Sequence, residues 1–227
     1  MSAYFVTATG TDIGKTFVTA GLIRHLRAEE KAVSALKPVV SGFDDATRDA
    51  SDPGQLLAAL GGTVTDEAFA RMSPWRFAAP LSPDMAAARE GRQIEFDALV
   101  KMCREAVAAH TDTGTLFIEG VGGIMVPLDS QHTVLDWMRA LELPLILVAG
   151  SYLGSISHTL TALGMIAQAR LKVAALVINE SVGDAVPVDD TISTIRRFAP
   201  GIVIASIARL RSAEAARGDF AKLAAVL

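Results

Sequence analysis

Cysteine occurs once in 227 residues, at Cys103, so no disulfide can close within the chain and the small disulfide-stapled folds are excluded. A reducing compartment is the expectation, and Cys103, in a segment of helical period, reads as a small core residue. Aromatic residues are also scarce, at 6% against 51% hydrophobic overall. The core must therefore be built from Ala, Val, Leu and Ile, a mix that favours layered helices and buried strands. Positive charge has no excess: 21 Lys and Arg stand against 25 Asp and Glu, a formal charge of -4. Without a cationic field to hold a phosphodiester backbone, nucleic acid is not expected as a partner. No apolar run approaches the roughly 20 residues that cross a bilayer as a helix, so no membrane association is expected. Residues Met1 to Val6 carry no basic stretch ahead of a long apolar run, which predicts no secretory leader and a cytoplasmic location. Gly/Ser-rich or Pro-rich linkers, low-complexity tracts and internal repeats are missing too, which leaves a single domain over 1–227 as the expectation.

What is present is alternation. Short apolar or β-branched runs at Tyr4 to Ala8, Val33 to Val39, Thr115 to Glu119, Pro144 to Val148, Val173 to Ile178 and Gly201 to Ala205 predict strands. Segments of helical period separate them: Lys15 to Ala28, Glu95 to His110, Val134 to Leu141, Ser155 to Ala169 and Val188 to Phe198, with a last helix over Ala213 to Val226. Strand and helix in turn predict the α/β class, a mostly parallel sheet covered by helices on both faces. The stretch 41–92 breaks the alternation with Asp44, Asp45, Asp49, Asp52, Pro74, Pro80 and Pro83, and reads as a long active-site excursion.

The first predicted strand runs into Ala8-Thr9-Gly10-Thr11-Asp12-Ile13-Gly14-Lys15-Thr16, after which a helix begins. A strand, a Gly-containing turn and a helix start are the context a phosphate cradle requires. Backbone N–H groups of the turn and the first helical residues, Asp12, Ile13, Gly14 and Phe17 among them, would face an anion. Lys15 would add a cation and the Thr16 hydroxyl a ligand for Mg²⁺. The ordinary phosphate-loop spacing needs Gly at position 9, where Thr9 stands, so the plain pattern misses by one residue.

Lys37 sits at the end of an apolar run, Leu36-Lys37-Pro38-Val39-Val40-Ser41-Gly42, at the carboxyl edge where open α/β sheets bind ligands. A buried lysine there needs an anionic partner; an edge lysine reaching solvent is the alternative. The run Thr115 to Ile118 ends in Glu119, followed by Gly120-Val121-Gly122-Gly123, which brings a carboxylate to the same edge. Mg²⁺ takes oxygen ligands, so Thr16, Glu119 and one further carboxylate suit it, and spacing leaves the third open among Asp44, Asp45, Asp49 and Asp52.

Taken with Ser51-Asp52, Ala79-Pro80-Leu81-Ser82-Pro83, Glu90-Gly91-Arg92, Leu145 to Gly150, Leu153 to His158 and Val177-Ile178-Asn179-Glu180, these motifs resemble the dethiobiotin synthetases, a P-loop family, in order and spacing over roughly the first four-fifths of the chain. The family loop reads G-T-D-T-x-V-G-K-T, with one extra residue between its glycines; its first glycine is Ala8 here and its aspartate position Gly10. The resemblance implies closure of a ureido ring from diaminopelargonic acid, CO₂ and ATP, through a carbamate and a carbamic-phosphoric anhydride. It implies that Lys15 and Lys37 neutralise the transferring phosphoryl group, that Thr16, Asp52 and Glu119 hold Mg²⁺, and that Ser41 and Thr11 meet substrate. Gly120 and Gly122 would border the nucleotide and Asn179 and Glu180 its adenine, while Ala208 replaces a family proline. Family members are homodimers, so the segment from Gly150 to Ser157 would serve the neighbouring subunit's substrate; Ser157 replaces the family's Asn.

Two other readings share the phosphate loop. A partitioning-type ATPase switch would carry a second lysine early in the loop, and positions 8 to 13 hold none. A related ATP-dependent ligase acting on another carboxylate would keep the loop and change the segment from Lys37 to Gly42.

Overall fold

The computed structural model describes residues 2–110, 114–181, 186–209 and 213–227, with side chains of the last stretch from 217 onward. Six strands, β1 (Ser2–Ala8), β2 (Val33–Leu36), β5 (Thr115–Glu119), β6 (Leu145–Gly150), β7 (Val173–Asn179) and β8 (Ile204–Ile207), form one sheet in the order β2-β5-β1-β6-β7-β8. Every pairing is parallel.

Strand side chains alternate faces, and the sequence uses that alternation to feed two cores. Phe5, Leu116, Ile118, Leu145, Leu147, Leu176 and Ile178 face one cluster. Tyr4, Val6, Ala8, Phe117, Ile146, Val148, Ala175 and Val177 face the other. On the first side lie α5 (Phe96–Ala109), α6 (Val134–Leu141), α7 (Ser155–Gln168) and α8 (Val188–Phe198), which supply Leu99, Trp137, Leu163 and Ile195. On the second lie α1 (Lys15–Ala28), α2 (Asp52–Ala59), α3 (Asp66–Met72) and α9 (Ala213–Ala224), with Leu22, Leu56, Phe69 and Phe220. Helices on both faces of a parallel sheet are the layering the alternation predicted.

The run Val33 to Val39 is not one strand. β2 ends at Leu36, and Val39–Ser41 (β3) pairs instead with Trp75–Phe77 (β4) in a separate two-stranded sheet. Lys37 and Pro38 are the link between the two sheets; Pro38 cannot donate to a ladder, and its carbonyl accepts from Trp75 N at 3.1 Å. The expected strand over Gly201 to Ala205 lies three residues later, at Ile204–Ile207, because Leu176 pairs with Ile204. The stretch 41–92 is not irregular: it holds a 3-10 turn (Asp45–Ala50), α2, α3, β4 and α4 (Pro83–Arg89). No described helix is long and apolar enough to cross a membrane.

Candidate active site

Register brings the site together. Val6 on β1 pairs with Glu119 at the end of β5, so the loop after β1 and the carboxylate of β5 emerge side by side at the carboxyl edge. The loop is fixed on its β6 side by Thr9 N donating to Val148 O at 3.0 Å. Asp12 (φ 57°) and Gly14 (φ 97°) both adopt left-handed backbone, a turn that lets successive N–H groups face one concavity. Gly14 caps α1 without a side-chain bond, so the first N–H groups of that helix have no capping partner from it. An anion is the natural complement.

The side chains meet at one hub. Thr16 Oγ1 donates to Glu119 Oε1 at 2.7 Å. Lys37 Nζ donates to the same oxygen at 2.8 Å and to Gly120 O at 2.7 Å, and lies 3.1 Å from Asp52 Oδ2. Lys37 and Glu119 are fully buried, whereas the Asp52 side chain keeps 41% exposure. Asp52 is delivered by the first turn of α2, whose N-cap Ser51 accepts from Gly54 N. Asp44, Asp45 and Asp49 are exposed on the preceding turn. Of the four carboxylates left open by spacing, Asp52 therefore joins the hub.

Charge follows geometry. Burial is the strongest influence on Lys37 and would discharge it, but Glu119 and Asp52 together outweigh it and hold its pKa above the ordinary value. Burial likewise opposes the Asp52 carboxylate, yet the charge and hydrogen bond of Lys37, with Thr16, keep its pKa below the usual range. Lys15 forms no ion pair among the described residues, and Glu119, Asp52 and Asp12 offset its burial only in part. Burial first, and repulsion from Lys37 second, push it down to about 8, and its Nζ rests 3.4 Å from Gly10 O. A deeply buried, partly uncompensated cation beside the loop calls for a polyanion.

Among the described residues, Glu119 Oε2 is buried with no hydrogen-bond partner, as is Ser41 Oγ at the end of β3. An orphan carboxylate oxygen beside a hydroxyl and a second carboxylate is a hard-oxygen donor set that fits a divalent cation such as Mg²⁺.

The remaining residues are more dispersed. Phe17 turns its ring edge-on to Phe220 at 5.8 Å, leaving its backbone N–H for any phosphate contact. Thr11 is exposed at the loop, and Gly122 (φ 58°) lies in the turn after Glu119. Gly150 ends β6 opposite Asn179, and Ser151 and Ser181 exchange reciprocal N–H to Oγ bonds at 3.0 Å beside it. Ser157 is exposed in the first turn of α7 and makes no hydrogen bond to the hub among the described residues. Glu180 accepts from Arg209 N at 2.7 Å, and Asn179 Nδ2 donates to Ile13 O at 2.9 Å.

Sequence reasoning missed Ser73. It is fully buried at the C-terminus of α3 and donates to the Lys37 carbonyl, while Lys37 N donates to Met72 O at 3.1 Å. Together they pin the link that aims the lysine. A lone serine after a short helix gives no signal of a partner so far away in sequence.

Among solved structures, the cell division ATPase MinD of Pyrococcus furiosus aligns over 100% of this chain and 98% of its own at a TM-score of 0.58 and 15% identity. MinD of Pyrococcus horikoshii, complexed with Mg-ADP, aligns over 98% and 94% at 0.58 and 14%. At those identities the likeness is one of fold. An AAA domain family model, AAA_26, matches residues 2–217. The ATP-dependent dethiobiotin synthetase of Acidiphilium cryptum is 51% identical, covering 87% of this chain and 88% of that protein. Those of Methylobacterium nodulans (48%, covering 92% and 94%) and Caulobacter vibrioides (46%, covering 92% and 93%) are similarly near. With that identity sustained over most of both lengths, the chain belongs to the dethiobiotin synthetase family.

Proposed function

We propose that this chain is an ATP-dependent dethiobiotin synthetase, a ligase that forms C–N bonds in biotin synthesis. The observation that carries the reading is the hub at Glu119, where Thr16, Lys37 and Asp52 converge beside the phosphate loop.

Diaminopelargonic acid would react at one amine with CO₂ to give a carbamate. The carbamate oxygen would attack the γ-phosphorus of ATP with release of ADP, giving the carbamic-phosphoric anhydride. The neighbouring amine would then attack the carbonyl carbon, lose a proton and expel phosphate as the ring closes. Two amines on one bound molecule supply proximity. The transferred group accumulates negative charge, so Lys15 and Lys37 act by neutralising it, with no covalent protein intermediate. Loop N–H groups from Asp12 to Phe17, with Gly120 and Gly122, would cradle the phosphates, and Thr16, Asp52 and Glu119 would hold Mg²⁺. When bound, that ion would supply charge neutralisation to the phosphates. Ser41 and Thr11 would meet the substrate, and Ser41 supports the role with a buried hydroxyl that has no partner among the described residues. Gly150 to Ser157, from a second copy in a homodimer, would hold its far end; Leu153, 87% exposed within that segment, supports a covered surface there.

Mixing the protein with Mg-ATP, diaminopelargonic acid and isotopically labelled bicarbonate tests the reading. Labelled dethiobiotin is the expected product by mass spectrometry, and Lys37→Ala should abolish it in a folded protein. ATP hydrolysis without incorporated label would keep the nucleotide site and overturn the substrate.

A further inference from the structure

We propose that Ser73, Arg76, Glu90 and Arg92 form a positioning chain that sets the direction of the Lys37 side chain, with the Glu90-Gly91-Arg92 motif as its outer anchor. This rests on Lys37 neutralising the transferred phosphoryl group, the role proposed above. Lys37 stands between two sheets: β2 ends at Leu36 and β3 begins at Val39, so neither ladder includes it. Residues 72 to 75 hold its peptide groups instead. Lys37 N donates to Met72 O at 3.1 Å, the buried Ser73 hydroxyl donates to Lys37 O, and Trp75 N donates to Pro38 O at 3.1 Å. Pro38, next in the chain, disfavours helical backbone at Lys37 and narrows the choice further. With the planar peptides on both sides of its Cα held, the Cα–Cβ direction of Lys37 is held too. It carries the ammonium to Glu119 Oε1 and Gly120 O.

Ser73 is itself anchored from outside. Its carbonyl accepts from Arg76 Nη1, which also lies 3.4 Å from Phe69 O, so a cation covers the last carbonyls of α3. β4 pairs with β3 along one edge, and alternate residues of a strand turn their polar groups to opposite edges. Trp75 and Phe77 bond toward β3, which leaves Arg76 and Ala78 on the open edge. There Arg92 Nη1 donates to Arg76 O at 2.9 Å and Glu90 Oε1 accepts from Ala78 N at 2.8 Å, while Arg92 and Glu90 pair with each other at 2.9 Å. The ion pair thus supplies the donor and the acceptor that a third strand would bring. Arg92 also lies over the Phe77 ring at 4.7 Å. A surface pair contributes little as an ion pair alone, so its use here is positional.

The test compares Ser73→Ala, Ser73→Thr and Arg92→Met, each assayed for dethiobiotin formation per folded molecule. Ser73→Ala should lower kcat about tenfold and Arg92→Met about threefold, with KM for ATP and for diaminopelargonic acid within about twofold of wild type, because the misaimed lysine is missed in the transition state. Ser73→Thr, which keeps the hydroxyl, should recover most of kcat. The double variant Ser73→Ala/Arg92→Met should be no slower than Ser73→Ala, since links of one chain are not independent. NMR of protein carrying isotopically labelled lysine should show the Lys37 ammonium signal shifted in Ser73→Ala and in Arg92→Met and that of the exposed Lys101 unmoved. An unchanged kcat per folded molecule in Ser73→Ala would overturn the proposal, as would losses that multiply in the double variant or an unmoved Lys37 signal. Wild-type protein that makes no dethiobiotin would instead overturn the reaction beneath it, and the Lys37 signal would still decide whether Ser73 and Arg92 set the lysine.

Discussion

Lys37 and Glu119 exclude each other's removal. Each is buried, and each is the other's main counter-charge at 2.8 Å. Lys37→Met leaves a carboxylate in the core with only the Thr16 hydroxyl as donor, and breaking a buried pair from one side costs about 3–5 kcal/mol. Glu119→Gln strands the lysine on Gly120 O and Asp52. Removing both charges leaves no fully buried charge unpaired, only the half-exposed Asp52 without its partner, so the double variant should be more stable than the sum of the singles by about 1–3 kcal/mol in urea unfolding. Strict additivity would mean that the two charges are not coupled. Cys103 behaves oppositely: burial, partly offset by Trp137, pushes its thiol up to about 12. At pH 8 it should resist a maleimide in the folded protein and react fully in denaturant; fast labelling without denaturant would place it at the surface. Lys37 and Glu119 were legible in the sequence because lysine or a carboxylate ending an apolar run has few uses, and Thr16 because it closes Gly14-Lys15-Thr16 between a strand and a helix. Ser73 and the tie from Asn179 to Ile13 were not, because each acts through a backbone carbonyl distant in sequence that no residue type announces.

Helices were readable from their period rather than from their ends: α1, α5, α7 and α8 were expected although no side chain caps them, whereas α2 and α3, capped by Ser51 and Thr65, were not. α6 begins with a capping box, in which Asp136 N is 3.4 Å from Thr133 Oγ1 and Thr133 N donates to Asp136 Oδ2 at 2.9 Å. Burial opposes the Asp136 carboxylate, but the bonds from Thr133 outweigh it and hold its pKa below 3.8. The sign follows: a depressed carboxyl stabilises the fold above its unfolded pKa, and that part is lost as pH falls from about 4 through the depressed value. Thr133→Ala should therefore lower Tm by about 2–4 °C at pH 7 for a loss near 1 kcal/mol. The gap between Asp136→Asn and wild type should shrink below about pH 4 in the same thermal scans; a gap independent of pH would remove the carboxylate from the account. Strand ends were less legible, because a strand's limits are set by its neighbour. Hydropathy carried Val33 to Val39 straight through Lys37, whereas β2 follows β5 only as far as Leu36 paired with Ile118, and β3 then leaves for β4. No local property of the apolar run records that change of partner. For the same reason the last strand was placed early: β7 selects Ile204 to Ile207, and Gly201 to Val203 are equally consistent with extension until β7 is in position.

At the scale of the whole molecule, the site is a junction of segments that the sheet and the helices packed on it bring together. The phosphate loop follows β1, Glu119 ends β5, Lys37 leaves β2 and Asp52 opens α2. Lys37 bridges Glu119 and Asp52, so part of the cation demand is met internally. Lys15 and the orphan Glu119 oxygen are the parts left unmet. A triphosphate answers the first and a divalent cation the second, so the two should bind as a unit and stabilise the fold together. At a ligand concentration about 100 times its Kd, binding to the folded state alone adds about 2.7 kcal/mol, roughly 5–10 °C in Tm for a chain of this size. Differential scanning fluorimetry should show that rise with ATP and Mg²⁺ together, and excess EDTA should remove most of it. Asp52→Asn, which weakens the metal set at its exposed edge, should halve the rise or more while lowering the ligand-free Tm less than Glu119→Gln does, since that side chain is the least buried of the cluster. A full rise in EDTA would mean that the loop and the lysines bind the nucleotide without a metal, and Glu119 would then serve only to fix Thr16 and Lys37.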